Sequence, residues 1–263
     1  MKAQAPSDPE APEALDWQGR VLDCAACRDG VAQGLRCQAG HACVHDRYAR
    51  RVDRYFQFNP EQANRLLRHP YFEVRAIAAR HASVFRLSEL MHDADETVRL
   101  SVALRLPQAQ LRKLMNDPHR EVRIRVAMRL SPAELPLMCS DPDYYVRLLV
   151  ARRLPPALLI RMLRDPDREV RCAVADRLDA AELHLLADDV EIAVRQRVAE
   201  RAGAALLESL AQDGAWEVRR LVALRADAAL AGRLLEDEEA EVVAAARERL
   251  QELGREQTER CYG

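Results

Sequence analysis

Large aromatic side chains are scarce in this sequence of 263 residues: phenylalanine, tyrosine and tryptophan make up 5% of it, whereas 49% of the residues are apolar. A hydrophobic core must therefore be built mainly from alanine, valine and leucine. Long apolar runs are also lacking, and none approaches the roughly 20 residues of a membrane span, so we expect no integral membrane protein. The first residues contain no apolar segment of a secretory signal, which predicts a cytoplasmic location.

Lysine is nearly absent too. The sequence has only Lys2 and Lys113 beside 38 arginines, and acidic residues balance these to a formal net charge of −2. Because phosphate neutralisation dominates nucleic-acid affinity, this balance argues against nucleic acid as a partner. In a reducing compartment, the seven cysteines are more typical of free thiols or metal ligands than of disulfides.

Common catalytic patterns are missing as well. The sequence contains no G-x4-G-K-[ST] phosphate loop, no G-x-G-x2-G turn and no G-x-S-x-G nucleophile elbow. No acid/base pair stands out, because the acidic residues recur with the repeat described next and can be explained as helix caps. We therefore expect that the protein is not an enzyme.

What the sequence does contain is a repeat of 24 residues without insertions or deletions. A valine recurs at this period, namely Val74, Val98, Val122, Val146, Val170, Val194, Val218 and Val242. Arginine follows the valine in all but the last copy, and an alanine, a second arginine, a leucine and an aspartate recur at fixed later positions. A constant period of this size is typical of a solenoid of stacked repeats.

Each repeat is predicted to contain two helical pieces. An Asp-Pro pair, as at Asp117-Pro118, predicts a helix N-cap followed by proline at the first helical position. A proline or glycine such as Pro107 or Gly203 ends the helix, and apolar residues three apart then predict a very short α-helix or a 3₁₀ piece. The strand pattern of ordinary leucine-rich repeats is absent, so the predicted fold class is all-α.

The predicted domains follow from these patterns. We assign residues 1–19 to a flexible N-terminal tail, 20–52 to a small cysteine-rich metal domain, 53–253 to a solenoid of about eight repeats and 254–263 to a C-terminal tail.

The two arginine columns differ in their expected environment. The arginine after the valine lies about 100° around the helix, inside the apolar arc. We expect it to be partly buried between repeats and paired with a capping aspartate, because an unpaired buried charge is costly. The second column, which runs from Arg105 to Arg249, lies at the border of the arc and is the better candidate for a docking surface.

Four cysteines stand close together before the repeats, with the spacing C-x2-C-x9-C-x5-C: Cys24, Cys27, Cys37 and Cys43. This concentration predicts a metal site. Structural zinc usually takes two tight pairs, and here only the first is tight, whereas looser loops suit an iron–sulfur cluster. His41 and His45 could replace thiols in a zinc site. The spacing alone leaves iron–sulfur and zinc open.

The remaining cysteines are not predicted to bind metal. Cys139 and Cys172 fall at variable positions of the repeats and are interpreted as small, partly buried side chains. Cys261 lies in the predicted C-terminal tail, where it has no expected role.

A unit of the form D-P-x3-V-R-x2-V-A-x-R-L-P-x3-L-x2-L, preceded by four cysteines, resembles the leucine-rich repeat variant family over roughly Arg20 to Leu250. The resemblance implies a right-handed solenoid of alternating α- and 3₁₀-helices. It also implies that Cys24, Cys27, Cys37 and Cys43 hold a [4Fe-4S] cluster, with zinc as the alternative. The first repeat departs from the pattern with His69 and His81, and the last departs with Val243 and Arg247.

Together these observations predict a cytoplasmic iron–sulfur protein that acts in electron transfer or redox sensing. Its repeats would engage an unidentified protein partner. Two alternatives stay open: a nucleic-acid-binding helical solenoid with a structural metal, and a structural adaptor without a redox role.

Overall fold

The computed structural model describes residues 14–262, apart from the side chains at positions 257, 258 and 260–262. Residues 1–13 of the predicted N-terminal tail, and the side chain of Cys261, lie outside the described residues. The chain forms two compact units, Met1–Ser131 and Pro132–Gly263. Within the described part, there is no β-strand, and pairing is limited to three isolated bridges.

The first unit contains the cysteine-rich segment and the first repeats. Its α-helices are Ala49–Phe58, Ala63–Leu66, Phe72–His81, Glu96–Ala103, Gln108–Leu111 and Arg120–Arg129. Its 3₁₀-helices are Val31–Gln33, Pro60–Gln62, Val84–Leu90 and Arg112–Leu114. Helix Ala49–Phe58 packs on Phe72–His81, which in turn packs on the helix of the next repeat.

The second unit continues the same alternation. Its α-helices are Tyr144–Arg153, Arg168–Ala175, Ile192–Arg201, Ala204–Leu210, Trp216–Arg225, Ala228–Leu234 and Ala240–Tyr262. Its 3₁₀-helices are Leu135–Met138, Pro156–Met162 and Ala180–Leu186. The last helix continues to Tyr262, through the segment that the sequence assigned to a C-terminal tail. No helix in the described residues is long and apolar enough to cross a membrane.

The predicted fold class, an all-α solenoid of two-helix repeats, is confirmed in both units. The short second helix is 3₁₀ in most repeats, where apolar residues three apart align on one face. The last two of these second helices, Ala204–Leu210 and Ala228–Leu234, are α-helical instead.

The repeated valine forms the centre of each unit's core. All eight valines of the period are fully buried, with 0% of their surface exposed. The alanine five residues later and the leucine thirteen residues later are also buried, as in Ala103 and Leu111. Each buried valine contributes about 1.5–3 kcal/mol of hydrophobic free energy. The core is thus an array of small aliphatic side chains, as the scarcity of aromatics predicts.

The predicted helix start at the Asp-Pro pair is wrong. Asp117 lies in a turn, and its Oδ1 accepts a hydrogen bond from His119 N at 2.9 Å, while the helix begins at Arg120. The N-cap of the helix is instead the residue two positions after the recurring aspartate. In three repeats this N-cap is itself an aspartate whose side chain accepts a hydrogen bond from the first turn of the helix: Asp95, Asp143 and Asp167. The reason is that the aspartate of the Asp-Pro pair is engaged by an arginine of the preceding repeat.

The first arginine column is buried and paired, as predicted. In six arginines of this column, the guanidinium binds the aspartate 18 residues later through two hydrogen bonds, 2.7–2.8 Å from Nε and 2.7–3.0 Å from Nη2. The pairs are Arg75–Asp93, Arg99–Asp117, Arg147–Asp165, Arg171–Asp189, Arg195–Asp213 and Arg219–Asp237. Nη1 donates to the main chain of the arginine's own repeat, as from Arg99 to Asp93 O at 2.7 Å.

The second arginine column is half-exposed in most repeats, as its position at the border of the apolar arc predicts, and it also bonds to the preceding repeat. Its use as a docking surface stays a prediction. Arg105 Nη1 donates to the carbonyl oxygens of Ala79 and Ala82, each at 2.7 Å. The same bond recurs from Arg177 to Ala151 O at 2.7 Å. These carbonyls end the helix of the preceding repeat and lack helical partners, so a cationic donor there stabilises the helix terminus.

Acid should weaken the solenoid through its arginine–aspartate pairs. Hydrogen bonds from Arg219 hold the pKa of Asp237 below its ordinary value, although burial opposes this shift. For Asp213, burial raises the pKa, but bonds from Arg195 outweigh it and the net shift is downward. These pairs therefore make their full contribution to the free energy of unfolding above the unfolded-state pKa of about 3.9. This contribution is lost as pH falls through the lowered pKa values of the folded state.

Urea unfolding followed by circular dichroism between about pH 6 and about pH 2.5 measures this decline. Asp237→Asn removes one of the titrating carboxylates, so this variant should lose less stability over the same range than the parent protein. An equal loss in both proteins would contradict the assignment to this pair.

Candidate metal centre

The four predicted cysteine ligands border one cavity of about 650 Å³ in the first unit. Cys24 is exposed, Cys27 and Cys37 are half-buried, and Cys43 is buried. The cavity is thus open to solvent at Cys24 and closed at Cys43. The structure therefore places all four thiols of the sequence prediction around one space.

The first cysteine pair lies on a turn held by Asp23. Its Oδ1 accepts hydrogen bonds from Ala25 N at 3.0 Å and Ala26 N at 3.3 Å, which fixes the backbone between Cys24 and Cys27. Such short side-chain bonds to the following backbone are a common way to close a turn. The two thiols thereby face the cavity from one loop.

The third cysteine is positioned by a buried asparagine. Asn59 Oδ1 accepts from Arg36 N, and Nδ2 donates to Arg36 O and to Tyr55 O, each at 2.9 Å. Asn59 is only 3% exposed and lies at the end of helix Ala49–Phe58. The loop just before Cys37 is therefore fastened to that helix.

A tight turn brings the third and fourth cysteines together. Gln38 and Ala42 pair through two backbone hydrogen bonds of 2.8 Å, and Gly40 lies at the tip with φ +72°. Glycine adopts this left-handed conformation without the steric cost that a β-carbon brings. The two flanking thiols, Cys37 and Cys43, both line the cavity.

Burial disfavours the charged form of the inner thiols. It raises the pKa of Cys27 and Cys37, and it raises the pKa of Cys43 to about 12. Metal-bound cysteines are thiolates, so a metal or cluster bound by these groups would have to displace their protons.

Two buried carboxylates brace the site. Asp29 Oδ2 lies 2.9 Å from His45 Nε2, and its Oδ1 pairs with Arg65. Asp46 is fully buried and accepts from Arg51 Nη1 at 3.0 Å and from the backbone of Tyr48 at 2.9 Å. These pairs tie the cysteine loops to the helices that follow them.

The two histidines considered as zinc ligands have other partners. His45 pairs with Asp29, while His41 Nδ1 lies 2.8 Å from Arg54 Nη1 on the surface. Among the described residues, no three histidine, cysteine or acidic side chains converge on a position for a single metal ion.

The cysteine-rich domain extends further towards the N-terminus than the sequence predicted. Leu15 bridges to Val21 and Asp16 to Asp46, and Trp17 lines the cavity. The Trp17 ring stacks on Tyr71 of the first repeat, with ring centroids 5.7 Å apart. Nothing in the sequence around Trp17 distinguishes it from the predicted N-terminal tail. The sequence therefore did not predict that Trp17 belongs to the cysteine-rich domain.

His69 joins the domain to the first repeat. It stands where later repeats have the aspartate that pairs with the first arginine column, which we call the ladder aspartate. Its Nδ1 accepts a hydrogen bond from Tyr71 N at 3.1 Å, as the ladder aspartate Asp117 accepts one from His119 N. Its ring lies edge-on to Trp17 at 4.9 Å and beside His45 at 5.5 Å. Burial, helped by the charge of His45, lowers the pKa of His69 to about 4, which keeps it neutral.

The fold and site define a class of protein: a helical-repeat solenoid whose N-terminal domain gathers four cysteines around one cavity. Comparison with known families is consistent with both parts. A family model described as LRV protein FeS4 cluster matches residues 14–65. The leucine rich repeat variant model matches residues 72–95, 96–119 and 144–167.

Two known proteins show extensive similarity. A solved structure, described as a leucine-rich repeat variant with a novel repetitive protein structural motif, superposes with a TM-score of 0.79 at 42% identity. The match covers 87% of this chain and 99% of that chain. An uncharacterized 27.7 kDa protein in the nifB 3′ region of Rhodobacter capsulatus is 52% identical over 102 residues, which is 38% of this chain and 42% of the relative. The chain belongs to the leucine-rich repeat variant family.

The cofactor follows from the matched N-terminal domain. This domain carries a [4Fe-4S] cluster. The cysteine spacing alone was compatible with zinc or an iron–sulfur cluster, and the family match identifies the iron–sulfur cluster. The donor set fits, because four cysteine thiols around one cavity are the usual ligands of such a cluster. When bound, the cluster can accept or donate one electron. That Cys24, Cys27, Cys37 and Cys43 are its ligands stays a prediction.

Proposed function

We propose that the protein is a non-enzymatic redox module in which Cys24, Cys27, Cys37 and Cys43 hold a redox-active [4Fe-4S] cluster. The observation that carries this proposal is the solvent-exposed position of Cys24 at the mouth of the cavity. An electron can then enter or leave at one edge while the buried side around Cys43 stays closed. A cluster used only as a structural brace would need no such opening.

The mouth of the cavity has the character of a protein-binding surface. Val21 and Val31 line it with 74% and 69% of their surface exposed. Arg20 and Arg28 border the same cavity and are exposed. A partner with an apolar centre and an acidic rim would complement this surface, because opposite charges steer partners together. We therefore place the electron-exchange partner here.

The alternatives have different support. A purely structural adaptor is favoured by the contacts of Trp17 and His69, since loss of the cluster would then loosen the first repeat. Binding of nucleic acid would use the second arginine column, but Arg105 and Arg177 of this column already bond to main-chain carbonyls of the protein. That proposal thereby loses its main support.

Anaerobic purification followed by stepwise reduction tests the redox role. We expect brown protein whose broad visible absorption bleaches on addition of one electron per cluster and returns on reoxidation. Electron paramagnetic resonance should detect the reduced cluster at the same point of the titration. A protein that keeps its iron and sulfide but cannot be reduced and reoxidised would instead favour the structural adaptor.

A further inference from the structure

A buried tyrosine hydroxyl, in the helix to which the cysteine loops are bonded, lacks a hydrogen-bond partner. Tyr55 lies in helix Ala49–Phe58 with none of its surface exposed to solvent. Within the described part of the chain, its Oη atom makes no hydrogen bond. Burying a hydroxyl without a partner costs free energy, and most buried polar groups in native proteins are paired. The orphaned hydroxyl therefore indicates a missing acceptor.

The surroundings of this hydroxyl are those of the cysteine site. Cys43 N donates a hydrogen bond of 3.2 Å to Arg51 O, which lies in the same helix one turn before Tyr55. Burial raises the pKa of Tyr55, and the negative charge of Asp29 raises it further. The backbone carbonyl of Tyr55 also binds the Asn59 side chain that fastens the Cys37 loop. The tyrosine and the thiols are thus held on one framework.

The neighbouring carboxylate does not serve as the acceptor. Asp29 Oδ2 lies 2.9 Å from His45 Nε2, and its Oδ1 pairs with Arg65. Tyr55 forms no bond to either oxygen. The hydroxyl makes no hydrogen bond to a cysteine sulfur of the described residues either. A cluster held by the four cysteines would supply further sulfur acceptors at this site.

We propose that the Tyr55 hydroxyl donates a hydrogen bond to a sulfur atom of the [4Fe-4S] cluster and thereby raises its reduction potential. This inference rests on the proposed function, since it takes the four cysteines as ligands. Hydrogen bonds to sulfur are among the factors that set cluster potentials. A reduced cluster carries more negative charge and accepts the bond more strongly, so the bond favours the reduced state. An external donor supplies the electron, no covalent bond forms or breaks, and the proton stays on Tyr55.

Tyr55→Phe tests the proposal, because it removes the hydroxyl and keeps the ring in the core. In a redox titration of the cluster-loaded protein, we expect the equilibrium constant for reduction to fall about tenfold, which is about 59 mV for a one-electron couple. In resonance Raman spectra, assembly of the cluster in D₂O should shift Fe–S bands in the parent protein and shift them less in the variant. Tyr48→Phe is the matched control, since its hydroxyl lies on the surface and bonds to Arg47.

Stability of the cluster-free protein separates this role from a structural one. Without the cluster, Tyr55→Phe should unfold at the same temperature as the parent or a higher one, because it removes an unpaired buried hydroxyl. A hydroxyl that matters only for folding would instead make the cluster-free variant less stable.

Other results would overturn the proposal. A fully loaded Tyr55→Phe protein with unchanged potential and unchanged Raman shift would refute it. If the parent cluster resists reduction, the proposed redox role fails, and the Raman comparison alone decides on Tyr55. If the variant binds no cluster, the Raman spectra of the parent protein test the proposal alone. Fe–S bands of the parent that do not shift in D₂O would refute the hydrogen bond.

Discussion

Replacement of Cys43 by alanine should abolish cluster assembly. Anaerobic preparations of the parent protein should contain about four iron atoms and four acid-labile sulfides per chain, and Cys43→Ala should contain almost none. Cys43 is buried at the closed side of the cavity, so neither water nor another described cysteine can take its place there. Iron and sulfide analysis with visible absorption measures the loss.

A control from the repeats isolates the role of ligation. Cys139 is a half-buried thiol of the second unit, and burial raises its pKa as it does for the inner site thiols. Cys139→Ala should therefore keep full iron and sulfide content. Full content in Cys43→Ala as well would show that the cluster is held by a different set of residues.

Loss of one ladder aspartate should destabilise the second unit severely. Asp165→Ala leaves the Arg147 guanidinium buried without its carboxylate, and the two side chains are only 10% and 4% exposed. Breaking a buried ion pair by removing one partner costs about 3–5 kcal/mol. The same change also removes the acceptor for Asp167 N at 2.9 Å. Urea unfolding should report a loss of this size in the free energy of unfolding.

Two further variants define the origin of that loss. Glu208→Ala breaks the exposed pair with Arg233, whose side chains are 49% and 58% exposed, and should cost less than about 1 kcal/mol. The double variant Arg147→Met/Asp165→Leu removes both buried charges and should recover much of the stability. A loss in Asp165→Ala no larger than in Glu208→Ala would mean that the ladder contributes little.

The sequence predicts the repeating part of the fold well because every repeat supplies the same information again. The valine period locates the core, and its neighbour at about 100° is correctly predicted to be a buried, paired arginine. The start of the helix is not predicted correctly. An aspartate before proline suits a helix cap and a preceding turn equally well, and only the arginine of another repeat decides between them.

The candidate site is only partly predictable, for the opposite reason. Four cysteines in a short segment can be recognised as candidate metal ligands from their residue type alone, and the structure places all four around one cavity. Trp17, Tyr55 and Asn59 belong to no repeated motif of the sequence, and only the folded chain brings them to the site. Their contribution could not be found from spacing, because bridges and helix packing bring them there.

The double use of each ladder aspartate restricts how such a chain can change its length. The carboxylate of Asp165 accepts a hydrogen bond from Arg147 of the preceding repeat. Its main-chain carbonyl oxygen accepts one from Nη1 of Arg171 at 2.8 Å. Duplication or deletion of a whole 24-residue block reproduces both bonds at the new junction. An insertion of any other length would change the spacing of 18 residues between the arginine donor and its aspartate acceptor. We therefore expect length variants of the solenoid to keep their fold only when they gain or lose complete blocks.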